Sequence, residues 1–268
     1  MLRLPAVAGK FYPDNPRQLS QQVRKFVAQD IVPEKISCRA CLVPHAGYVY
    51  SGHIAGAVFA RVTIPSRVVV LGVRHFPYGE EAAINSSGAW RTPLGDLLVD
   101  AELAAAISRA CPLLCEDSIA HEREHSLEVQ LPFLQVLCPS CTFVPIALGT
   151  IDFDQLVSIG EALGHILSTE QDVLLLTTSD FNHYEEDATT RSKDHLAIEK
   201  ILQFDPRGLF DVCRKKKISM CGLGPAVAML TALEQLGVAH AELVKYATSA
   251  DVTGDSSAVV GYAGILFR

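Results

Sequence analysis

Residues 67–72 read RVVVLG, and residues 172–178 read DVLLLTT. Both runs are almost continuously apolar, which is typical of strands that helices cover on both faces. Further strand patterns lie at residues 41–44, 142–148, 240–247 and 258–267. Helical spacing begins at Leu19, Val23, Phe26 and Val27 and recurs near residues 53–61, 101–110, 127–137, 154–168, 188–203 and 225–236. This alternation predicts an α/β protein whose central sheet, mostly parallel or mixed, is flanked by helices.

The composition fits a globular protein with a large core. The chain has 268 residues, 49% of them hydrophobic and 20% charged, which excludes disorder, collagen and a simple coiled coil. The 23 Lys and Arg against 30 Asp and Glu give a net charge of −7, and the one basic run, Arg214 to Lys217, is short. We therefore expect no nucleic-acid partner. Because no linker or repeat interrupts the chain, we expect one domain over residues 1–268.

Targeting signals are not apparent in the sequence. The opening MLRLPAVAGKFYP lacks a charged start followed by a long apolar core. The longest apolar stretches, such as Val68 to Val73, are shorter than the roughly 20 helical residues that span a bilayer. Eight cysteines in so hydrophobic a chain favour free thiols or ligands over a disulfide scaffold. We expect a cytoplasmic protein that does not enter a membrane.

Three histidines follow predicted strands closely. His45 comes directly after CLVP, His75 follows RVVVLG by three residues, and His183 follows DVLLLTT by five. Functional groups of open α/β sheets gather beyond the carboxyl ends of the strands. A single histidine there is more often a capping or packing residue, but three together indicate a functional site.

Cys221 is the cysteine that the sequence singles out. It precedes a predicted helix in which Pro225 occupies the first turn. A helix start favours the thiolate form, which is the better ligand and nucleophile. On spacing alone, a buried apolar cysteine is an equal interpretation. The neighbouring Gly222 and Gly224 do not form a dinucleotide-binding pattern, because a third glycine and a preceding strand are missing.

Residues 121–125, HEREH, match the H-E-x-x-H pattern of zinc hydrolases. That pattern requires a helix that places His121 and His125 on one face. Ser126 resembles a helix N-cap, and the apolar rhythm begins only at Leu127, so most of the motif is predicted to be loop. A charged loop that supplies one or two site residues is the preferred interpretation, and a zinc-dependent hydrolase is the alternative.

Two further cysteine pairs have the spacing of metal ligands, Cys38 with Cys41 and Cys138 with Cys141. The two pairs of a structural zinc site usually lie about 15–20 residues apart, and these are separated by far more. Incidental thiols near strand starts are the preferred interpretation. A site formed by the two pairs meeting in space stays open.

Six ordered motifs extend from the first residues to the last part of the chain, and a closing GYA follows them at 261–263. They are AVAGKFYP at 6–13, PHAGY at 44–48, LGxxH at 71–75, EHSLE at 124–128, SDFNH at 179–183 and Cys221-Gly222. With these motifs the chain resembles the Memo family over essentially its whole length. Prokaryotic relatives are described as AmmeMemoRadiSam system protein B, which implies an AMMECR1-like protein and a radical SAM protein as partners.

The resemblance implies the fold of class III extradiol ring-cleaving dioxygenases and a metal pocket formed by His45, His75 and Cys221. It also implies that Asp180 and His183 lie in this pocket, with Glu124 and His125 nearby. The sequence departs from the family at residues 72–76, GVRHF, where many relatives have a proline and a small polar residue before the histidine.

The ligand chemistry separates this pocket from a dioxygenase centre. Oxygen-activating ferrous iron is usually held by two histidines and a carboxylate, and here Cys221 replaces the carboxylate. A thiolate favours copper or zinc as well as iron. We predict a mononuclear redox protein, with iron before copper or zinc, in which His183, oriented by Asp180, donates or accepts a proton. A non-catalytic module that binds a peptide or small molecule in the same pocket is the alternative.

Overall fold

A computed structural model describes residues 1–30, 34–170 and 172–268. Its helices are α1 (Pro16–Ala28), α2 (Tyr48–Arg61), α3 (Ala101–Ala110), α4 (Ile119–Glu122), α5 (Leu131–Leu137), α6 (Phe153–Thr169), α7 (Asp187–Leu202), α8 (Pro206–Lys216), α9 (Leu223–Gln235) and α10 (Ala250–Thr253). Its strands are β1 (Leu2–Arg3), β2 (Ala40–Val43), β3 (Arg67–Val73), β4 (Ala82–Ile84), β5 (Ala89–Thr92), β6 (Gly95–Leu98), β7 (Cys115–Glu116), β8 (Thr142–Leu148), β9 (Val173–Thr178), β10 (His183–Glu185), β11 (Ala241–Thr248) and β12 (Val259–Phe267).

A mixed sheet forms the centre of the molecule, with strand order β10-β12-β2-β9-β3-β8-β4-β7, and β11 pairs with β12. Its four middle strands, β2, β9, β3 and β8, are parallel, whereas β12 and β4 join them antiparallel. The predicted fold class, an α/β protein with a mixed sheet flanked by helices, is confirmed. A small separate sheet has the order β1-β5-β6.

Helices cover both faces of the main sheet. Successive residues of β3 point to opposite faces and therefore pack against different helices. Val69 and Leu71 pack with α3, α6, α7, α8 and α9, whereas Val68 and Val70 pack with α1, α2 and α5. All four valine and leucine side chains are buried. The continuous apolar run seen in the sequence therefore reflects a strand buried on both faces.

The predicted elements match the structure in most places. Helix α3 and strand β8 have the predicted bounds, and α6, α7, α9 and β3 differ from prediction by one or two residues. Helix α8 and the short strands at the sheet edges were not predicted. The predicted helix 127–137 is divided, with a 3₁₀ turn at Glu128–Gln130 before α5. Within the described ranges, no helix is both long and apolar enough to cross a membrane.

Candidate metal centre

Three parallel strands place polar residues at one edge of the sheet. His45, His75 and Asp180 each lie two residues beyond the ends of β2, β3 and β9, respectively. These strands are neighbours in parallel register, so their carboxyl ends meet at the same edge. The loop before α9 adds Cys221 to this edge, where its sulfur lies 3.1 Å from Nε2 of His45. The topology therefore gathers residues from four distant parts of the chain.

His45, His75 and Cys221 form a group of potential metal ligands. One ligand atom from each of the three side chains lies within 4.8 Å of the others. The imidazole rings of His45 and His75 are nearly perpendicular, with centroids 5.2 Å apart. His45 is almost completely buried, whereas His75 and Cys221 are partly exposed. The three side chains predicted to bind a metal are thus brought together.

Hydrogen bonds fix the orientation of both imidazole rings. Nδ1 of His75 donates to the Glu124 carboxylate at 2.9 Å, and the backbone N–H of His75 donates to the other carboxylate oxygen at 2.6 Å. Nδ1 of His45 lies 2.7 Å from the Thr178 hydroxyl oxygen. Metal-binding histidines usually bind such a partner through the nitrogen that does not face the metal. In both residues Nε2 is therefore left for the centre.

Glu124 is a buried carboxylate held by donors on three sides. Besides His75, the backbone N–H of Ser126 donates to it at 2.8 Å. Burial alone would raise the pKa of Glu124, but the hydrogen bond from His75, together with the neighbouring imidazoles and the backbone N–H of Ser126, outweighs burial and holds the pKa at about 2. Glu124 is thus ionised at neutral pH and places a negative charge directly behind His75.

His125 extends the cluster on the side of His75. The two rings are stacked at a centroid distance of 4.6 Å and an interplanar angle of 20°. His75, Glu124 and His125 form a second group whose potential ligand atoms lie within 4.8 Å of one another. Burial lowers the pKa of His125 to about 4, so the ring is neutral at neutral pH. The centre therefore has three imidazoles beside one thiol, and burial keeps those of His45 and His125 neutral.

The environment of Cys221 differs from the expected one. The residue lies one position before Gly222, the N-cap of α9, and Pro225 occupies the first turn as predicted. Burial, together with the charge of Asp180, raises the pKa of the Cys221 thiol despite a donated hydrogen bond from the backbone N–H of Asp180 at 3.3 Å. The helix start does favour the thiolate, because the backbone N–H of Gly222 lowers the pKa of Cys221. Desolvation is the larger effect, so the pKa is raised overall.

Gly222 allows the loop before α9 to approach the end of β9. A Cβ atom at this position would lie 2.5 Å from the carbonyl oxygen of Thr178 and 2.4 Å from Cβ of Ser179. The backbone N–H of Gly222 donates to the Ser179 hydroxyl at 3.0 Å. A side chain at residue 222 would push Cys221 away from His45, so the Cys-Gly pair is a geometric requirement of the centre.

Asp180 holds the backbone of the centre and does not orient His183. Its carboxylate accepts hydrogen bonds from the backbone N–H groups of His45 at 2.8 Å and Ala46 at 3.3 Å. Burial raises the pKa of Asp180 to about 7, although these N–H groups lower it. His183 instead lies against Ser219, whose carbonyl oxygen is 2.9 Å from Nδ1 of the imidazole. The predicted pairing of His183 with Asp180 is wrong because Asp180 is engaged by the β2 loop.

The zinc-hydrolase pattern is not formed in three dimensions. Helix α4 ends at Glu122, so His121 and His125 do not share a helical face. His121 is buried against Trp90, with ring centroids 5.5 Å apart, and belongs to neither ligand group found in the described residues. Ser126 is not an N-cap: its hydroxyl accepts from the N–H of Val73 and donates to the carbonyl oxygen of the same residue.

The remaining candidates lie away from the centre. Cys38, Cys41, Cys138 and Cys141 are free thiols, and none of them belongs to a metal-ligand group in the part of the chain that the structure describes. The guanidinium of Arg74, the residue that departs from the family pattern, donates to the carbonyl oxygens of Phe76 and Tyr78. Arg74 also packs against Gly149, where an added Cβ would lie 2.6 Å from Nε of the guanidinium.

The donor set of the centre fits a single transition-metal ion. Imidazole nitrogen and thiolate sulfur bind zinc at about 2.0–2.3 Å, which separates two such ligands by roughly 3.5 Å. The Cys221 sulfur and Nε2 of His45 are 3.1 Å apart, close to that separation. Two imidazoles and a thiolate suit iron, copper or zinc. The ionised Glu124 behind His75 offsets the positive charge of such an ion.

Sequence reasoning missed the residues that support these side chains. Thr178 is the last residue of β9, Ser219 precedes α9, and Asn182 accepts hydrogen bonds from the N–H and hydroxyl of Ser219. Thr178 had a usable signal, because a polar residue ends an otherwise apolar strand. Ser219 had none, since its role depends on how the loop before α9 folds back on β10.

Comparisons with known proteins agree with this architecture. The family model described as Memo-like protein matches residues 3–266. MEMO1 family proteins from Methanopyrus kandleri and Pyrobaculum arsenaticum are each 39% identical to the chain over 100% of its length and 99% of theirs. A further MEMO1 family protein, from Methanosarcina barkeri, is 39% identical over 99% of both chains. The chain belongs to the Memo family.

A solved structure shares the fold at low sequence identity. It is an uncharacterized protein, JW3007, from Escherichia coli K12, with a TM-score of 0.50 and 10% identity. The similarity covers 84% of this chain and 98% of the other. At this identity the likeness concerns the fold alone.

Proposed function

We propose that this Memo family protein binds one metal ion through His45, His75 and Cys221 and acts as a dioxygenase-like redox protein, with iron before copper or zinc. The observation that carries this proposal is the convergence of the three ligand atoms, with Nδ1 of both histidines already engaged. That arrangement leaves the two Nε2 atoms and the sulfur for one ion. A bound iron or copper ion would supply the electron-transfer chemistry that side chains lack.

His183 is the proton-transfer residue of this proposal. The carbonyl oxygen of Ser219 only accepts hydrogen bonds, so Nδ1 of His183 carries the proton and Nε2 holds the free electron pair. Burial lowers the pKa of His183, which keeps the ring neutral at neutral pH. Nε2 of His183 is therefore prepared to take a proton from a hydroxyl group of a substrate. Asp180, Glu124 and Ser219 act as positioning residues.

Metal titration of the purified protein tests the first part of the proposal. We expect one ion of iron(II), copper(I) or zinc per chain under anaerobic conditions. His75→Ala and Cys221→Ser should each weaken binding by more than about a hundredfold. His75 is the cleaner histidine to replace, because His45 is buried and its loss also removes core packing. His165→Ala, which changes an exposed histidine on α6, is the matched control.

Loss of binding with His165→Ala, or normal binding by both ligand variants, would contradict the proposed centre. Chemical denaturation of each variant separates a lost ligand from a lost fold. Full occupancy by zinc in protein isolated from cells would favour hydrolysis over redox chemistry.

Oxygen uptake tests the second part. The iron-loaded protein should consume oxygen with some member of a panel of catechols and related phenols. His183→Gln should lower the rate by about 10²–10⁴-fold and leave iron affinity within about twofold of the wild type. Binding of these compounds without oxygen uptake would replace the proposal by a non-catalytic ligand-binding function of the same pocket.

A further inference from the structure

A second pocket, of about 910 Å³, lies beside the metal centre and meets it at His125. The N-terminal segment forms one wall, and residues 118–125 with Trp90 form the other. Leu2, Leu4, Phe76 and Ile119 line it, and each of these large apolar side chains is more than a third exposed. A cluster of exposed apolar side chains around a concave surface indicates a binding site.

The charge of this pocket is opposite to that of the protein. The net charge of the chain is −7, but the pocket is lined by Arg3, Lys10 and Arg123 against a single acidic residue, Glu122. Arg3 is neutralised by a buried ion pair with Glu128. Lys10 and Arg123 form no ion pair with any residue that the structure describes. The guanidinium of Arg123 lies over the Tyr78 ring, which leaves its charge without an acidic partner in the described part of the chain. Lys10 and Arg123 therefore favour an anionic ligand.

His121 supplies a second, independent sign of a ligand. Its side chain lines the pocket and is 99% buried, yet neither ring nitrogen has a hydrogen-bond partner among the described residues. The imidazole ring contacts Trp90, and the backbone carbonyl oxygen of His121 accepts a hydrogen bond from Nε of Arg3. Buried polar groups in native proteins normally have hydrogen-bond partners, so two ring nitrogens without partners require an explanation. Both nitrogens are shielded from solvent, so a hydroxyl or carboxyl group of a ligand would reach one of them once the imidazole turns toward the pocket.

We propose that this pocket binds a small amphipathic organic anion. Its flat apolar body would lie against Leu4, Phe76 and Ile119, and its polar group would bond to a ring nitrogen of His121 after the imidazole turns toward the pocket. Its negative charge would be balanced by Lys10 and Arg123. Burial lowers the pKa of His121 to about 4, so the ring offers one N–H donor and one acceptor at neutral pH. This site does not depend on a metal at His45, His75 and Cys221.

Titration with 8-anilino-1-naphthalenesulfonate, an aromatic anion, tests the proposal in metal-free protein. We expect the fluorescence of the anion to rise on binding, and calorimetry should count one site per chain. Ile119→Ser should weaken binding about tenfold through lost apolar contact, and the double variant Lys10→Gln/Arg123→Gln about fivefold through lost charge. Leu113→Ser and Lys215→Gln/Lys216→Gln, which change exposed residues outside the pocket, are the matched controls. Binding of the uncharged N-phenyl-1-naphthylamine should weaken with Ile119→Ser and stay unchanged with the double charge variant.

The role of His121 has its own readout. In protein labelled with ¹⁵N at histidine, both ring nitrogens of His121 should shift when the anion binds, and His121→Phe should weaken binding about fivefold. Equal effects of pocket and control variants, or unshifted His121 nitrogens, would overturn the proposal. A dimer in sedimentation that Leu4→Ser dissociates would also overturn it, because a second copy of the chain would then occupy the pocket. Metal titration of the same variants should be unchanged, so failure here is distinguishable from failure of the metal centre.

Discussion

Thiols lie at both ends of the central sheet, but the thiol at the carboxyl end lies beside imidazoles that could bind the same metal ion. Cys221 lies beyond the carboxyl ends of β2, β3 and β9, whereas Cys38 and Cys141 precede the amino ends of β2 and β8. Burial raises the pKa of Cys38 and Cys141 to about 12, and it raises that of Cys221 as well. The degree of thiol ionisation therefore does not distinguish the two ends.

The difference lies in the neighbours of each sulfur. Cys221 has Nε2 of His45 at 3.1 Å and the backbone N–H of Asp180 at 3.3 Å. At the other end, Cys138 donates a long hydrogen bond, 3.6 Å, to the carbonyl oxygen of Pro65 and lies beside the Cys141 thiol. Parallel strands bring the loops after β2, β3 and β9 together, and these loops carry the imidazoles. The place of a cysteine relative to strand direction is thus more informative than C-x-x-C spacing.

Among changes that leave all three ligands in place, loss of the Glu124 charge behind His75 should weaken metal binding at the centre most. Glu124→Gln keeps the size of the side chain but loses the negative charge, and one amide nitrogen would face Nδ1–H or a backbone N–H. We expect metal affinity to fall about 10–100-fold. Metal titration measures the fall, and Glu122→Gln, an exposed neighbour outside both ligand groups, is the control. Equal affinities for Glu124→Gln and wild type would mean that His75 is not held for a metal.

The sequence predicted the strands and the site histidines, but not the hydrogen-bond partners of these histidines. Apolar runs located β3, β8 and β9 because burial on both faces demands continuous hydrophobicity, and chain position then placed His45 and His75 at the edge. The partners of these residues depend on strand order, which the sequence does not carry. Thr178 meets His45 only because β9 lies between β2 and β3.

The segment 121–125 shows why local patterns fail where packing decides. HEREH has the spacing of a helical zinc motif, but the helix ends at Glu122. The ring of His121 packs against Trp90, and its backbone carbonyl oxygen accepts a hydrogen bond from Arg3. Glu124 and His125 then turn toward His75. Those contacts come from the N-terminal segment and from β5, more than 30 residues away, so no local pattern predicts them.

Metal affinity at the carboxyl end should rise with pH. The thiol of Cys221 is protonated at neutral pH because its pKa is raised, whereas the pKa values of His45 and His125 are lowered, so these rings are already neutral. Binding as thiolate therefore releases one proton, and affinity should increase about tenfold per pH unit between about pH 6 and pH 8. Calorimetry in buffers of different ionisation enthalpy counts the released proton.

Cys221→Ser is the control for that slope, since a serine hydroxyl does not ionise in this range. The variant should bind weakly and with an affinity that changes little with pH. A wild-type affinity independent of pH would show that the sulfur either is ionised before binding or is not a ligand.

The smallest effect is expected at the amino end of the sheet. Cys138→Ser keeps a donor for the carbonyl oxygen of Pro65, and the residue is only partly buried. Because it lies at the opposite end from the proposed ligands, metal affinity should stay within about twofold of the wild type and unfolding free energy within about 0.5 kcal/mol. Metal titration and chemical denaturation measure the two quantities. If Cys138→Ser instead lowers the number of ions bound per chain, the cysteine pairs hold a metal of their own, and the contrast between the two ends of the sheet no longer stands.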